Sequence, residues 1–153
     1  MKALTLTQPW ATLVAIGAKR IETRSWRTNY RGPLAIHAAK AFPRDCRELG
    51  WAQPFRCALH HAGIFPNAGA QWELPLGKIL ATCRLVDCVP TEYMDAKTCP
   101  FRDLMTPLEM AFGDYSPKRY AWILDGIEAL GQAVAAKGAL GLWEWDPGTE
   151  TLS

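Results

Sequence analysis

Residues 4–40 read LTLTQPWATLVAIGAKRIETRSWRTNYRGPLAIHAAK, and the periodicity changes twice along them. Leu4 and Leu6 alternate with Ala3, Thr5 and Thr7, the two-residue period of a half-buried strand. Thr7 then offers a helix cap, and Pro9 falls in the first turn, where its missing N–H costs nothing. Trp10, Leu13 and Val14 recur at spacings of three and four, which predicts a short helix with one buried face. Gly17 stops that helix, because glycine takes positive φ freely. Lys19 therefore lies just past a helix end, at the entry to a second strand. In that strand, RIETRSW, Glu22 and Arg24 share one face while Ile21 and Thr23 share the other. TNYRG reads as a turn, with Asn29 and Gly32 as its breakers. PLAIHAA reads as a third strand.

Further along, Pro43 to His61 has a helical pattern that Pro54 interrupts, predicting two short helices or one broken one. Residues 62–77, rich in Gly and Pro, form a long loop. KILATCRLVDCVP is the longest strand candidate. TPLEMAFGDYS predicts a short helix capped by Thr106, followed by a turn. RYAWILDGIEAL and ALGLWEWD are the closing strands, and the Ala-rich residues 127–140 are structural. Five or six strands with short helices, lacking regular βαβ alternation, imply an α+β fold around a small barrel. At 153 residues the chain has the size of one domain, expected to span 1–153.

The formal net charge is only +2, too small to argue for a polyanion partner on its own. Its distribution says more. Residues 17–31 hold Lys19, Arg20, Arg24, Arg27 and Arg31 against Glu22, a net +4, while the remainder nets −2. The five cysteines (46, 57, 83, 88 and 99) form no C-x-x-C pair. No signal peptide and no long apolar run is present. These features suggest a reducing cytoplasm, free thiols, and no zinc or other metal site. Cys83 and Cys88 read as buried strand thiols, and Trp10, Trp143 and Trp145 as core.

The central spacing is Gly17-x-Lys19-x-x-Glu22-x-Arg24. A carboxylate held between two cations is fixed in orientation. Two readings stay open on spacing alone: a solvated basic edge with one ordinary ion pair, or the floor of a cleft. Beyond the motif, Trp26 and Tyr30 could stack a base or pack against the barrel end. His37 and Lys40 end a strand beside the motif, and Asp114, Tyr115, Arg119 and Tyr120 form a polar cluster before another.

The stretch 4–40 resembles the ASCH domain family (activating signal cointegrator homology). The likeness lies in the Q-P-W-A opening, the Gly-x-Lys-x-x-Glu-x-Arg motif, the Trp that follows and the R-G-x-L-x-I-H strand. LGKILATCRLVDC, over 76–89, is similar to the family's next core strand. The resemblance implies a PUA-like β-barrel with the motif lying across a cleft, and RNA or other nucleic-acid binding. It also implies that some members are hydrolases, one branch acting on acetylcytidine and another on single-stranded RNA. In the deacetylating branch the motif Lys is catalytic, together with a Thr and a more distant Glu. Lys19 matches that Lys, whereas Glu22 stands where the Thr would be, so the Thr-dependent mechanism does not carry over.

Three classes of function follow. In a binding module, the cleft would take single-stranded RNA or a nucleoside, using Lys19, Glu22, Arg24, Trp26, Arg27, Tyr30, Arg31, His37, Lys40, Tyr115 and Arg119. Arg24, Arg27 and Arg31 would meet phosphate. In a hydrolase, Lys19 would accept the proton and Glu22 would position it or a water. In a protein-interaction domain the cleft would be vestigial. None of these readings calls for a cofactor or a membrane.

Overall fold

The computed structural model describes residues 1–148; residues 149–153, part of the expected single domain, lie outside the described residues. Six strands form one curled sheet, a half-barrel in the order β2-β5-β4-β3-β1-β6. They are β1 (Lys2–Leu6), β2 (Ile21–Arg24), β3 (Gly32–Ala38), β4 (Lys78–Pro90), β5 (Tyr120–Ala135) and β6 (Leu142–Glu144). Four short helices accompany them: α1 (Trp10–Ala15), α2 (Arg44–Leu49), α3 (Phe55–His61) and α4 (Pro107–Phe112). This is the α+β small barrel that the pattern predicts, and the PUA-like form that the resemblance implies. Alternation along β1 and β3 sends Leu4, Leu6, Leu34 and Ile36 into the main core, where Trp122 of β5 is fully buried. β1 and β3 run parallel, and α1 makes the crossover between the two sides of the curl.

Proline divides the helical region as expected, since α2 ends before Pro54 and α3 starts after it. Thr106 caps α4 by accepting from the Glu109 N–H at 3.2 Å. Three expectations are corrected. Thr7 is not the cap of α1: the buried Gln8 accepts from the Thr12 N–H at 2.9 Å and donates to the Pro75 carbonyl at 2.9 Å. Residues 25–31 are an extended crossover rather than a turn, because β2 pairs with β5 and the chain must pass two strands to reach β3. The penultimate strand runs on to Ala135, with register shifts against β4 that let it bend.

Candidate nucleotide-binding cleft

The site begins with the stop of α1. Gly17 takes φ +79°, and its N–H donates to Val14 O at 3.0 Å while the Ala18 N–H donates to Leu13 O at 3.0 Å. This is the Schellman arrangement, which satisfies the last carbonyls of the helix. It also turns the chain so that Lys19 enters the fold. The Lys19 side chain is fully buried. Its Nζ donates to Ile21 O and lies 3.4 Å from Glu22 Oε1. Arg24 Nη1 approaches the other Glu22 oxygen at 3.6 Å. The carboxylate expected between two cations is present, and it is mostly out of water.

β2 is an edge strand, and side chains complete its open side. Lys19 Nζ meets Ile21 O, and Arg119 Nη2 donates to Thr23 O at 3.1 Å. The Thr23 N–H donates to Glu22 Oε1 at 3.1 Å. The Ile21 N–H donates to Glu109, which also accepts from the Arg20 N–H. Glu109 is buried, and burial pushes its carboxyl above the usual carboxylate range, with the Arg20 N–H and Lys19 pulling back. No bond reaches Glu109 Oε2 or the buried Tyr115 hydroxyl among the described residues. Burial, reinforced by Glu109 and Glu22, raises the Tyr115 phenol.

A cleft of about 420 Å³ opens beside this edge. Glu22, Thr23 and Arg24 form one wall, Gly113, Asp114 and Arg119 another. Thr7, Leu49, Ala111 and the aromatic rings of Trp10, Phe55 and Phe112 supply its remaining surface. Trp10 is thus not simply core: its indole N–H donates to Phe112 O at 2.8 Å while the ring faces the cleft. Gly113 permits close approach, since a Cβ there would come within 2.9 Å of Tyr115. Asp114 and Arg119 pair at 3.5 Å. The cleft's charges therefore balance, two arginines against two carboxylates. The net +4 of residues 17–31 is thus not carried into the cleft.

The other predicted site residues lie elsewhere. Lys19 supports the wall from behind and does not line the cleft. Trp26 packs edge-on against Trp122 at 4.7 Å, with the Arg24 guanidinium 5.8 Å from its ring. Tyr30 is held by its hydroxyl on Pro33 O at 2.5 Å. Arg31 pairs with Asp87 at 3.0 Å, and Arg27 is exposed. Tyr115 turns inward. His37 and Lys40 line a different groove. Sequence reasoning missed Glu109, Phe55 and Phe112, which come from helices distant in the chain. The Thr-x-x-Glu spacing at 106–109 signals a helix start, but nothing in it reports contact with Arg20.

The sequence matches the ASCH domain over residues 4–130, a span holding every residue that lines the cleft. The chain belongs to the ASCH domain family. Over 88 residues, 56% of its length, it is 38% identical to Activating signal cointegrator 1 of Homo sapiens. The corresponding mouse protein (Mus musculus) is 36% identical over an equally long stretch. The matched stretch spans only 14% of each of those proteins. Within this ASCH domain, Cys83 of β4 turns its side chain into the main core, and burial pushes its thiol up to about 12. No described helix is long and apolar enough to cross a membrane.

Proposed function

We propose that this ASCH domain binds single-stranded RNA by taking one nucleotide into the cleft. One observation carries the reading: Glu22, anchored from behind by buried Lys19, presents its carboxylate to a small cavity that also contains aromatic rings and two arginines. A fixed carboxylate accepts from exocyclic amino groups of a base. Rings beside it favour a flat ligand, base–aromatic stacking being worth about 1–3 kcal/mol. The volume suits a nucleoside-sized ligand. Arg119 and Arg24 stand where sugar or phosphate oxygens would lie.

Titration of the four ribonucleoside 5′-monophosphates, followed by intrinsic tryptophan fluorescence or calorimetry, tests this. Glu22→Gln is expected to weaken the preferred monophosphate by about tenfold or more, the worth of one charged hydrogen bond. Failure of all four to bind at millimolar concentration, or unaltered affinity in Glu22→Gln, overturns it. The hydrolase alternative gains a more specific form from the geometry. Lys19 is sealed and spends its amine on Ile21 O and Glu22, so a hydrolytic version would act through Glu22, with Lys19 positioning it. Release of acetate from acetylcytidine, or cleavage of labelled single-stranded RNA, that disappears in Glu22→Gln would support it.

A further inference from the structure

The positive charge missing from the cleft lies next to it. A groove of about 910 Å³ is lined by Thr5, His37, Lys40, Leu76, Lys137 and Leu140 among others. It adjoins the cleft through Arg24, which lines the cleft and donates from Nη1 to Thr5 O at 3.4 Å. Thr7, two residues beyond Thr5, lines the cleft, so one stretch of chain serves both hollows. Among the described residues, no acidic side chain lines the groove. Neither Lys40 nor Lys137 has an ion-pair partner among the described residues.

The groove is also built rather than slack. The Trp143 indole N–H donates to Thr5 Oγ1 at 3.0 Å, and Thr5 Oγ1 lies 3.0 Å from His37 Nδ1. His37 Nε2 donates to Ala136 O at 2.8 Å. These bonds anchor the connection between β5 and β6, which forms the groove's outer wall. Gly138 presses so closely on His37 that a Cβ would fall 2.7 Å from the ring. That wall lies beyond the residues matched by the family, which end at 130. Leu140, 98% exposed, adds an apolar rim.

We propose that this groove is a second subsite for the same single-stranded RNA, holding the phosphates and the neighbouring nucleotide of a strand whose base occupies the cleft. The proposal rests on the cleft reading and adds the path of the strand. Unopposed lysines match a polyanion, and stacked bases tolerate an apolar rim. The continuity through Arg24 and Thr5 makes one strand the natural occupant of both hollows.

The test uses the full chain, the four monophosphates, and mixed-sequence oligoribonucleotides of two, four and six nucleotides. Affinity is expected to rise about tenfold or more from monophosphate to tetranucleotide at fixed salt, as added phosphate contacts release counterions. The double variant Lys40→Glu/Lys137→Glu should abolish that rise while binding the monophosphate as the parent does. The slope of log affinity against log salt for the hexanucleotide should shrink by about 1.4, two contacts at about 0.7 each. Arg27→Glu should leave the rise intact. Length-independent affinity, a rise that survives the double variant, or a rise lost in Arg27→Glu instead, overturns the subsite while sparing the cleft. An oligoglutamate peptide that binds the groove more tightly than the hexanucleotide also overturns it. Loss of monophosphate binding in the parent protein overturns the cleft reading and this one together.

Discussion

Within residues 17–31, the half ending at Arg24 is drawn into the fold, and the half starting at Trp26 lies over its surface. Each half contains an arginine or lysine paired with a carboxylate. Lys19 and Glu22 sit 3.4 Å apart with side chains 0% and 10% exposed. Arg31 and Asp87 sit closer, at 3.0 Å, yet both are about a third exposed. Distance alone would rank the second pair as stronger. Burial reverses the order, because water screens the exposed pair and cannot replace a lost partner in the buried one. A basic stretch is therefore not one functional unit. Its inner part orients the wall of a cleft, and its outer part is largely scaffold, with Tyr30 tied to Pro33 and Trp26 packed on Trp122.

Lys19→Met puts the sharpest strain on this contrast. It leaves Glu22 buried without its inner partner and Ile21 O without its donor. A loss of about 3–5 kcal/mol is expected in urea-induced unfolding; a loss under about 1 kcal/mol would place both pairs in the same class. Gly17→Ala asks whether the turn that sends Lys19 inward matters in itself. An added Cβ would meet nothing within 4 Å, so only the cost of the left-handed backbone remains, about 1 kcal/mol in the same measurement. Arg31→Ala probes the outer half, with an expected change of about 0–1 kcal/mol that fades further at high salt. A greater loss there would show that the surface half carries structure as the inner half does.

Much of this organisation could be read from local pattern. The alternation of Leu4 and Leu6, the Gly17 stop and the Glu22–Arg24 spacing are local signals, and each describes its element well. Thr106 and Pro54 likewise act on the residues beside them. The far wall of the cleft was legible only in part: Asp114 and Arg119 stood out as a polar cluster, whereas Phe55 and Phe112 come to the cleft only through tertiary packing. Glu109 illustrates the limit: its spacing from Thr106 marks a helix start, while its bond to the Arg20 N–H joins positions far apart in the chain. His37 and Lys40 follow the motif closely in sequence, but β5 and β4 separate β3 from β2 in the sheet, so the two residues line the adjoining groove and not the cleft itself. The charge balance of the cleft was hidden, since the Asp114–Arg119 pair faces Glu22 and Arg24 only once the segment after α4 packs beside β2.

Two of the side chains that close the outer edge of β2, Glu22 and Arg119, also line the cleft, and Lys19 and Glu109 stand behind them. Glu22, Arg119, Lys19 and Glu109 occupy the main-chain groups that another strand would otherwise engage. Substitutions that empty the pocket therefore also bare a ladder ready to pair with a neighbouring molecule. Glu22 and Arg119 thus serve two ends at once, lining the hollow and shielding an exposed strand from self-association.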